Sequence, residues 1–538
     1  MVDDAEKFSS FSKSKKLALG ISVGLIVLVL AFFAARRQLE QHLTALIEAK
    51  LVKVEGLSIK LGRISLGLSA VHIDQIAIKP AGREDGPGLL MNDVRVNLNL
   101  AALIRGTVPM DQLHIKRTAV LPDQYPPLED MIVSIQARGD SQLVLNFKGK
   151  ADPGQLTGIV ELDRQSPRLQ VRAELKGEAL RIFHRKIARS PIAPVNVNLS
   201  FAGRYDSVQR QLRIDLFKIH SQGLDGIISG HVDEVTSSPR LNLAISIPTI
   251  PCQTLLEALP RDFVPDLQGF RLSGNFTAEY RVAIDFDKLE KTQLTGYRGF
   301  RDCQTVEAPI HLSEKHFQGS FEHTSRLTVG VNQTFRVGPE NPDFVPFARF
   351  SDALVGAFLA TEDISFFQHA GFVPESLALA IGHNLLESRF AMGGSTITMQ
   401  MVKNVFLSHE KTLSRKVQEL FLTDYVERSL GKQRILEIYL NVIEFGPGIF
   451  GIGAAARHYF DKPAPDLTVL ESVYLASIVY SPRRHYGSYC RGNISKDWDQ
   501  RLRQLLRLMH DEELINEADF LASQAQTIVF RKPALGCS

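Results

Sequence analysis

Cysteine is scarce in this chain: four residues in 538, Cys252, Cys303, Cys490 and Cys537, with no Cys-x-x-Cys pair among them. That excludes a zinc ribbon and a disulfide-dense scaffold, and leaves one or two structural disulfides among which the spacing does not choose. Net charge is equally slight, +3 from 62 basic and 59 acidic side chains. This is too little for bulk nucleic-acid binding, so any cationic site has to be local. No Walker loop occurs, so nucleotide phosphates are not the obvious anion. What is present is ordinary for a folded protein, 44% hydrophobic and 22% charged, and the length calls for two or three domains rather than one core.

The strongest compositional signal comes first. Leu17 to Ala35 runs without a charge; as a helix it is roughly 28 Å long, close to a hydrocarbon core of about 30 Å. The run is long for a signal-peptide core, and Arg36-Arg37 directly after a cleavage point is unfavourable, so it reads as an uncleaved anchor. Lys7, Lys13, Lys15 and Lys16 before it outnumber the two arginines after it, which orients the N-terminus to the cytoplasm and the bulk of the chain outside.

Gln38 to Leu51 reads as a short amphipathic helix. From Leu57 the hydrophobic period becomes two: Leu57, Ile59 and Leu61, then Ile64, Leu66 and Leu68, then Ile73, Ile76 and Ile78. Val94, Val96, Leu98 and Leu100 alternate with Asp93, Arg95, Asn97 and Asn99. Like runs recur at 142–148, 169–175, 211–220, 226–232, 241–247 and 272–286, which predicts a β-rich antiparallel region over about 55–300. After Phe350 the period is helical. Segments 351–361, 374–388, 395–407, 414–430, 432–440, 453–459, 467–479 and 496–509 fit, with Pro374 near a helix start and Gly431 at a helix end.

Four clusters within the helical half carry chemistry. The first is Thr361-Glu362-Asp363-Ile364-Ser365-Phe366-Phe367-Gln368-His369-Ala370-Gly371, two adjacent carboxylates after an apolar helix. The second is Gly393-Gly394-Ser395-Thr396-Ile397-Thr398-Met399-Gln400, followed by Lys403 and Asn404. Third comes Arg415-Lys416-Val417-Gln418-Glu419, and fourth Arg434-Ile435-Leu436-Glu437-Ile438-Tyr439-Leu440-Asn441 leading into Glu444-Phe445-Gly446. Ser395 after two glycines can cap a helix whose first-turn amides attract anions. Gln400, Lys403 and Asn404 share a helix face, as do Arg415 and Glu419. Carboxylates beside Lys and Arg suit displacement of a phosphate-bearing leaving group: a base activates a hydroxyl, and cations take the departing charge. Taken singly, Glu362 reads as an exposed helix-end carboxylate and Arg415–Glu419 as a solvated ion pair.

In this order and spacing the four clusters resemble glycosyltransferase family 51, the monofunctional transglycosylases and the transglycosylase domain of bifunctional penicillin-binding proteins, from about Phe347 to Tyr486. The resemblance implies a mostly helical, lysozyme-like domain partly sunk in the membrane that polymerises lipid II and releases undecaprenyl diphosphate. It implies Glu362 as general base and Glu419 as the second essential carboxylate. Lys403, Arg415 and Lys416 would hold diphosphates, with Lys411 where the family often has arginine. Ser395, Thr396, Thr398, Gln400 and Asn404 would form a polar strip around them. Asp363, Phe366, His369 and Gly371 would shape the loop holding the base, while Glu437, Tyr439 and Asn441 would give support. Members often work with a divalent cation, Mg or Mn, but no dedicated ligand cluster stands out. The phrase 57–120, with Ile104-Arg105-Gly106 between strand-like runs, and Leu272-Ser273-Gly274-Asn275-Phe276 resemble the AsmA-like periplasmic β proteins. That likeness would suggest an elongated sheet with an apolar groove for lipid; a spacer or docking module is the plainer alternative.

The expected organisation is therefore multi-domain: a cytoplasmic tail over 1–16, a transmembrane helix over 17–35, a β-rich AsmA-like periplasmic domain over 36–300, a transition over 301–345, and the transglycosylase domain with a helical extension over 346–538. The expected setting is a bacterial inner membrane, single-pass, with lipid II, the growing lipid-linked glycan and the membrane as partners and no nucleic acid. No Lys-Thr-Gly occurs and Ser10-x-x-Lys13 precedes the anchor, so cross-linking needs a separate transpeptidase. Two departures stand out. Met399 precedes Gln400 where the family usually has Gln-Gln, and on helical spacing it faces the Lys403 groove. Lys411 keeps charge but loses the bidentate fork. With the large β region they motivate the alternative of a catalytically weak, lipid II-binding scaffold. Leu385, Leu386, Phe390 and Met392 are apolar enough to touch lipid, with core packing the plainer reading, favoured for the leucines.

Overall fold

The computed structural model describes residues 57–531 apart from 67–69, 81–87, 99–109, 122–127, 140, 236–237, 299–301, 326–331, 374–393 and 409. The expected tail, anchor, amphipathic helix, Ile104-Arg105-Gly106 phrase, Gly393 and 374–388 helix lie outside the described residues, as do Leu385, Leu386, Phe390 and Met392. No helix among the described residues is long and apolar enough to cross a membrane. The chain forms two compact units: one of residues up to Phe183 with Ala193–Val208, the other of His184–Ile192 with the chain from Gln209 onward.

The first unit is antiparallel sheet. Strands β1 (Leu57–Leu61) and β2 (Ile64–Leu66) both pair with β3 (Ala70–Pro80). From there β4 (Gly88–Leu98), β5 (Met110–Leu121), β6 (Leu128–Arg138), β7 (Gln142–Ala151), β8 (Gly154–Gln165), β9 (Arg168–Ile182) and β10 (Ile192–Asp206) follow in chain order. Alternation sets the faces: in β9, Leu169, Val171, Ala173 and Leu175 are half-buried while Arg168, Gln170, Arg172 and Glu174 are exposed. Register brings apolar side chains opposite one another, Ile73 with Val94 and Val94 with Ile115. These join Ile64 and Val96 in a small core.

In the second unit β11 (Gln211–Ser221), β12 (Leu224–Asp233), β13 (Arg240–Pro251), β15 (Asn275–Asp285) and β16 (Gln293–Arg298) pair antiparallel in that order. Helix α1 (Cys252–Glu257) follows β13, and β14 (Arg271–Ser273) pairs with β17 (Gln304–Glu307). The Cys252–Cys303 disulfide, with Cα atoms 5.8 Å apart, settles one pairing that the spacing left open. Helix α2 (Glu314–Gln318) and the hairpin β18 (Phe321–Ser325) and β19 (Gln333–Val337) lead to the helical part.

There α3 (Asp352–Glu362), α4 (Ile397–Phe406), α5 (Leu413–Ser429) and α6 (Lys432–Val442) precede a small hairpin, β20 (Glu444–Gly446) with β21 (Ile449–Phe450). Helices α7 (Ile452–Phe460), α8 (Val469–Ile478), α9 (Pro482–Arg491), α10 (Lys496–Asp511) and α11 (Glu517–Gln524) complete it. Apolar periodicity drives the packing. Leu354, Ala357 and Phe358 of α3 meet a core shared with Val473 and Leu475 of α8 and Leu502, Leu506 and Met509 of α10. Starts are marked by local chemistry: Ser351, Thr412, Thr468, Ser495 and Asn516 each accept an amide of their own first turn, each cap worth about 1 kcal/mol. Gly431, expected at a helix end, directly follows the Leu430 C-cap of α5 and, at φ −69°, also serves as the N-cap of α6.

Candidate active site

Helix α3 delivers two adjacent carboxylates, and they turn to different tasks. Asp363, 8% exposed, serves the scaffold. Its Oδ2 accepts from the Ile397 amide at 3.0 Å and from His369 Nε2 at 2.9 Å. The same histidine tautomer accepts from the Gly371 amide at Nδ1, 3.0 Å away. The Gly371 carbonyl then takes the Thr396 hydroxyl at 2.7 Å. Gly371 sits at φ +88°, and a Cβ there would lie 2.7 Å from Thr423 Cγ2, so glycine is required. Phe366 is fully buried under this loop with the Lys432 ammonium 4.3 Å from its ring centre. The closed circuit fixes the loop to the start of α4.

Glu362 points elsewhere. Its Oε2 accepts from Gln400 Nε2 at 2.6 Å, and among the described residues no hydrogen bond occupies Oε1. Burial raises its pKa above the ordinary 4.5; the Gln400 bond and the Lys403 ammonium oppose the rise, and Asp363 adds to it. The Gln400 carbonyl oxygen in turn accepts from the phenol of Tyr439, 3.2 Å away.

The cations gather on α4 and α5. Arg415 Nη1 donates to Glu419 Oε2, and Lys416 Nζ to Glu419 Oε1 at 2.6 Å. Glu419 is 1% exposed, so the pair expected to be solvated is an enclosed three-membered group. Arg415 Nε also donates to the Glu410 carbonyl at 2.5 Å, and Lys416 Nζ to Ser395 Oγ at 3.3 Å. Burial, with Arg415 and Lys403 nearby, lowers the Lys416 pKa to about 7, against the Glu419 carboxylate that favours its charge. Lys403 has no hydrogen bond or ion pair among the described residues. Burial and then Arg415 lower its pKa, Glu362 opposes, and exposed Lys411 adds to the lowering. Lys403 therefore feels both the Glu362 side and the Arg415 side, which makes one site of two clusters.

Helix α5 is held at its start from outside the helical part. The Leu413 and Ser414 amides donate to the Lys186 and Ile187 carbonyls, both at 2.8 Å. Ser414 Oγ donates to the Phe263 carbonyl at 2.6 Å, and Gln418 Oε1 accepts from the Asp266 amide at 2.7 Å. With Thr412 Oγ1 accepting from Arg415 N at 3.2 Å, the first-turn donors of this helix are spent.

Several sequence expectations are corrected. The cap of α4 is Thr396, which accepts from Met399 N, not Ser395, which meets Lys416 instead. The anion at that helix start is the chain's own Asp363. Thr396 and Thr398 are buried scaffold rather than a polar strip; Thr398 Oγ1 donates to Glu427, which is paired with Lys432 at 2.7 Å. Asn404 Nδ2 donates to the Gln400 carbonyl of its own helix at 2.9 Å. Met399 is 1% exposed and does not line a groove. Glu437 takes the Phe347 amide at 2.6 Å, and Asn441 clasps Val345 through N at 2.9 Å and O at 2.8 Å. Sequence spacing gives no sign of Ser414 and Gln418, whose partners Phe263 and Asp266 lie 151 and 152 residues away. Nor does it reveal Glu427, whose bond to Thr398 spans 29 residues and whose ion pair with Lys432, five residues on, crosses a helix end.

Among the described residues no three His, Cys, Asp or Glu side chains converge as metal ligands. Glu362, Asp363 and Glu419 each already face a donor or a cation, so together they do not make a cage for a divalent ion. A cavity of about 560 Å³ beside Gln304, Lys315, Tyr425 and Arg428 contains none of the site residues.

Residues 330–510 match the family model described as Transglycosylase. A biosynthetic peptidoglycan transglycosylase of Nitrosomonas eutropha is 51% identical over 140 residues, 26% of this chain and 57% of that protein. One of Laribacter hongkongensis is 43% identical over 157 residues, 28% of this chain and 69% of that protein. Penicillin-binding protein 1F of Bacillus subtilis is 35% identical over 189 residues, 35% of this chain and 26% of its own length. The match thus spans little more than half of the Nitrosomonas relative.

Proposed function

The chain belongs to the transglycosylase family, and from that premise we propose that it is a peptidoglycan glycosyltransferase joining lipid II units into β-1,4 glycan. Glu362 Oε1 takes the proton of the acceptor sugar's 4-hydroxyl. The freed oxygen attacks the anomeric carbon of the growing chain, the bond from that carbon to the diphosphate oxygen breaks, and undecaprenyl diphosphate leaves with the electron pair. Single displacement inverts the anomeric centre. Lys403, Arg415 and Lys416 take the departing negative charge, and Glu419 keeps the last two aligned. Ser395 and Lys411 flank them. Burial that raises the Glu362 pKa also makes it a stronger base, better matched to neutral pH.

The observation that carries the reading is the start of α4, which joins base and cations: Gln400 holds Glu362 at 2.6 Å, Ser395 just before the helix meets Lys416 at 3.3 Å, and half-buried Lys403 lies on the same helix. The anchor read at Leu17–Ala35 would hold the enzyme at the inner membrane, where its lipid-linked substrate resides, with the β-rich part outside as a spacer or lipid-handling module. A separate transpeptidase would cross-link the product. The alternative, a scaffold with weak turnover, loses one motive because Met399 is enclosed and takes no hydrogen-bonding place from the groove.

Polymerisation of purified lipid II by the detergent-solubilised chain, beside Glu362→Gln, tests the proposal. Loss of a positioned base costs on the order of 10²–10⁴-fold in rate. Glycan from the wild type and almost none from the variant is the expected result. A wild type that binds lipid II without polymerising it would overturn the transferase in favour of the scaffold.

A further inference from the structure

The support role expected of Tyr439 does not account for its hydroxyl. The side chain is fully buried on α6, its ring edge-on to Phe358 at 6.3 Å between centroids. Packing alone would be served by phenylalanine, since a buried hydroxyl is kept without cost only where it has a partner. Its partner is the Gln400 carbonyl oxygen at 3.2 Å, and the opposite end of that amide donates to Glu362 Oε2 at 2.6 Å.

A glutamine amide can present either end to a carboxylate. Nε2 toward Glu362 is attractive, whereas the carbonyl oxygen would be repelled by it. The phenol oxygen could accept from the other end, but its own hydrogen would then be buried without an acceptor; donating to the oxygen end satisfies both groups and so favours the attractive orientation. We propose that Tyr439 is a positioning residue for the base: through its hydrogen bond it locks the Gln400 amide with Nε2 on Glu362 Oε2, which leaves Oε1 as the open proton acceptor. This deepens the transferase reading and rests on it, because it assigns Glu362 a proton to take.

The consequence is a tuned titration. Other groups act on Glu362 as well: Asp363 at the end of its own helix, and Lys403 on α4 beside Gln400. Tyr439 adds a dipole rather than a charge, and its own ionisation is pushed far upward by burial, with Glu362 and Asp363 adding to the rise. It stays a donor throughout the working range. The Gln400 N–H favours the carboxylate form, so losing the lock raises the pKa of Glu362 and moves the acid limb of activity to higher pH.

The test uses the full chain in detergent, in four forms: wild type, Tyr439→Phe, Gln400→Met and the double variant. Two readouts follow pH. One is the acid limb of kcat/KM for lipid II polymerisation. The other, independent of turnover, is the carboxyl infrared band that is absent from Glu362→Gln. Tyr439→Phe is expected to raise both midpoints by roughly half to one pH unit, a three- to ten-fold loss of rate on the acid side. In the Gln400→Met background the same change is expected to shift neither midpoint further. An unmoved infrared midpoint in Tyr439→Phe or in Gln400→Met, or a shift of equal size with and without Gln400, overturns the proposal. A wild type that makes no glycan while the infrared coupling holds instead removes the reading of Glu362 as a base, so the two failures are told apart.

Discussion

Replacing Glu362 by glutamine should make the protein more stable at neutral pH while removing its proposed activity. The carboxylate is half-buried and its pKa is raised chiefly by burial. A group whose folded pKa lies above its unfolded value contributes stability below the unfolded pKa, here the ordinary 4.5, and loses it as pH rises through the folded one. Glutamine has no charge to desolvate, and its carbonyl can still accept the Gln400 Nε2 that now reaches Oε2 at 2.6 Å. Each unit of upward displacement is worth about 1.4 kcal/mol, and 1 kcal/mol moves the midpoint of a large unit by roughly 2–4 °C. Thermal unfolding of the two proteins in parallel from pH 4 to pH 8 is the assay. The variant's advantage should be absent near pH 4, open as pH rises, and amount to a few degrees at pH 8. An advantage that does not change with pH, or a variant that melts lower at pH 8, would refute the reasoning, since burial of charge would then not be what Glu362 contends with.

Glu419→Gln leaves Arg415 and Lys416 without their shared anion. Breaking a buried pair typically costs about 3–5 kcal/mol, and because these cations are partly exposed the lower end is expected in chemical denaturation, with inorganic pyrophosphate restoring more stability to the variant than to the wild type. Met399→Gln should bring no gain in polymerisation rate and should cost about 1–3 kcal/mol by placing an amide in an enclosed apolar position; a large gain in rate would revive the scaffold reading. Replacing Cys252 and Cys303 together by serine opens a closure between positions 51 residues apart and should lower stability by up to about 4 kcal/mol in the chain-entropy account, measured by denaturant titration under oxidising conditions.

Much of this molecule is legible as pattern. The helical period finds α3 to α8 and α10 because each buries one apolar face, and Arg415–Glu419 follows from i, i+4 spacing alone. Helix α9 escapes because Arg483, Arg484 and His485 obscure its period, although Pro482 at its start and Gly492 at φ +74° after its end are ordinary signals. Strand β8 is broken up by Gly154 and Gly158, and β10 by Pro194. Met399 shows the limit of spacing arguments: it shares a helix line with Lys403, but the lysine stem is long enough to carry its charge out of the interior while the thioether stops inside. The Tyr439–Gln400 and Thr398–Glu427 bonds join residues 39 and 29 positions apart. No local rule reaches them, because tertiary packing alone brings their helices together.

The attachment of α5 bears on where this protein could be cut or transplanted. Two of its first amides end on Lys186 and Ile187, the Ser414 hydroxyl on Phe263, and Gln418 in the next turn on Asp266. All four lie upstream of the 330–510 span that matches the family. A fragment trimmed to that span would keep Glu362, Gln400 and every cation, yet would expose the donors on which Arg415 and Lys416 are mounted. The smallest portable piece that keeps this site intact therefore begins well before the family boundary, near Lys186, and a graft that respects only the 330–510 span would carry the site's side chains without their footing.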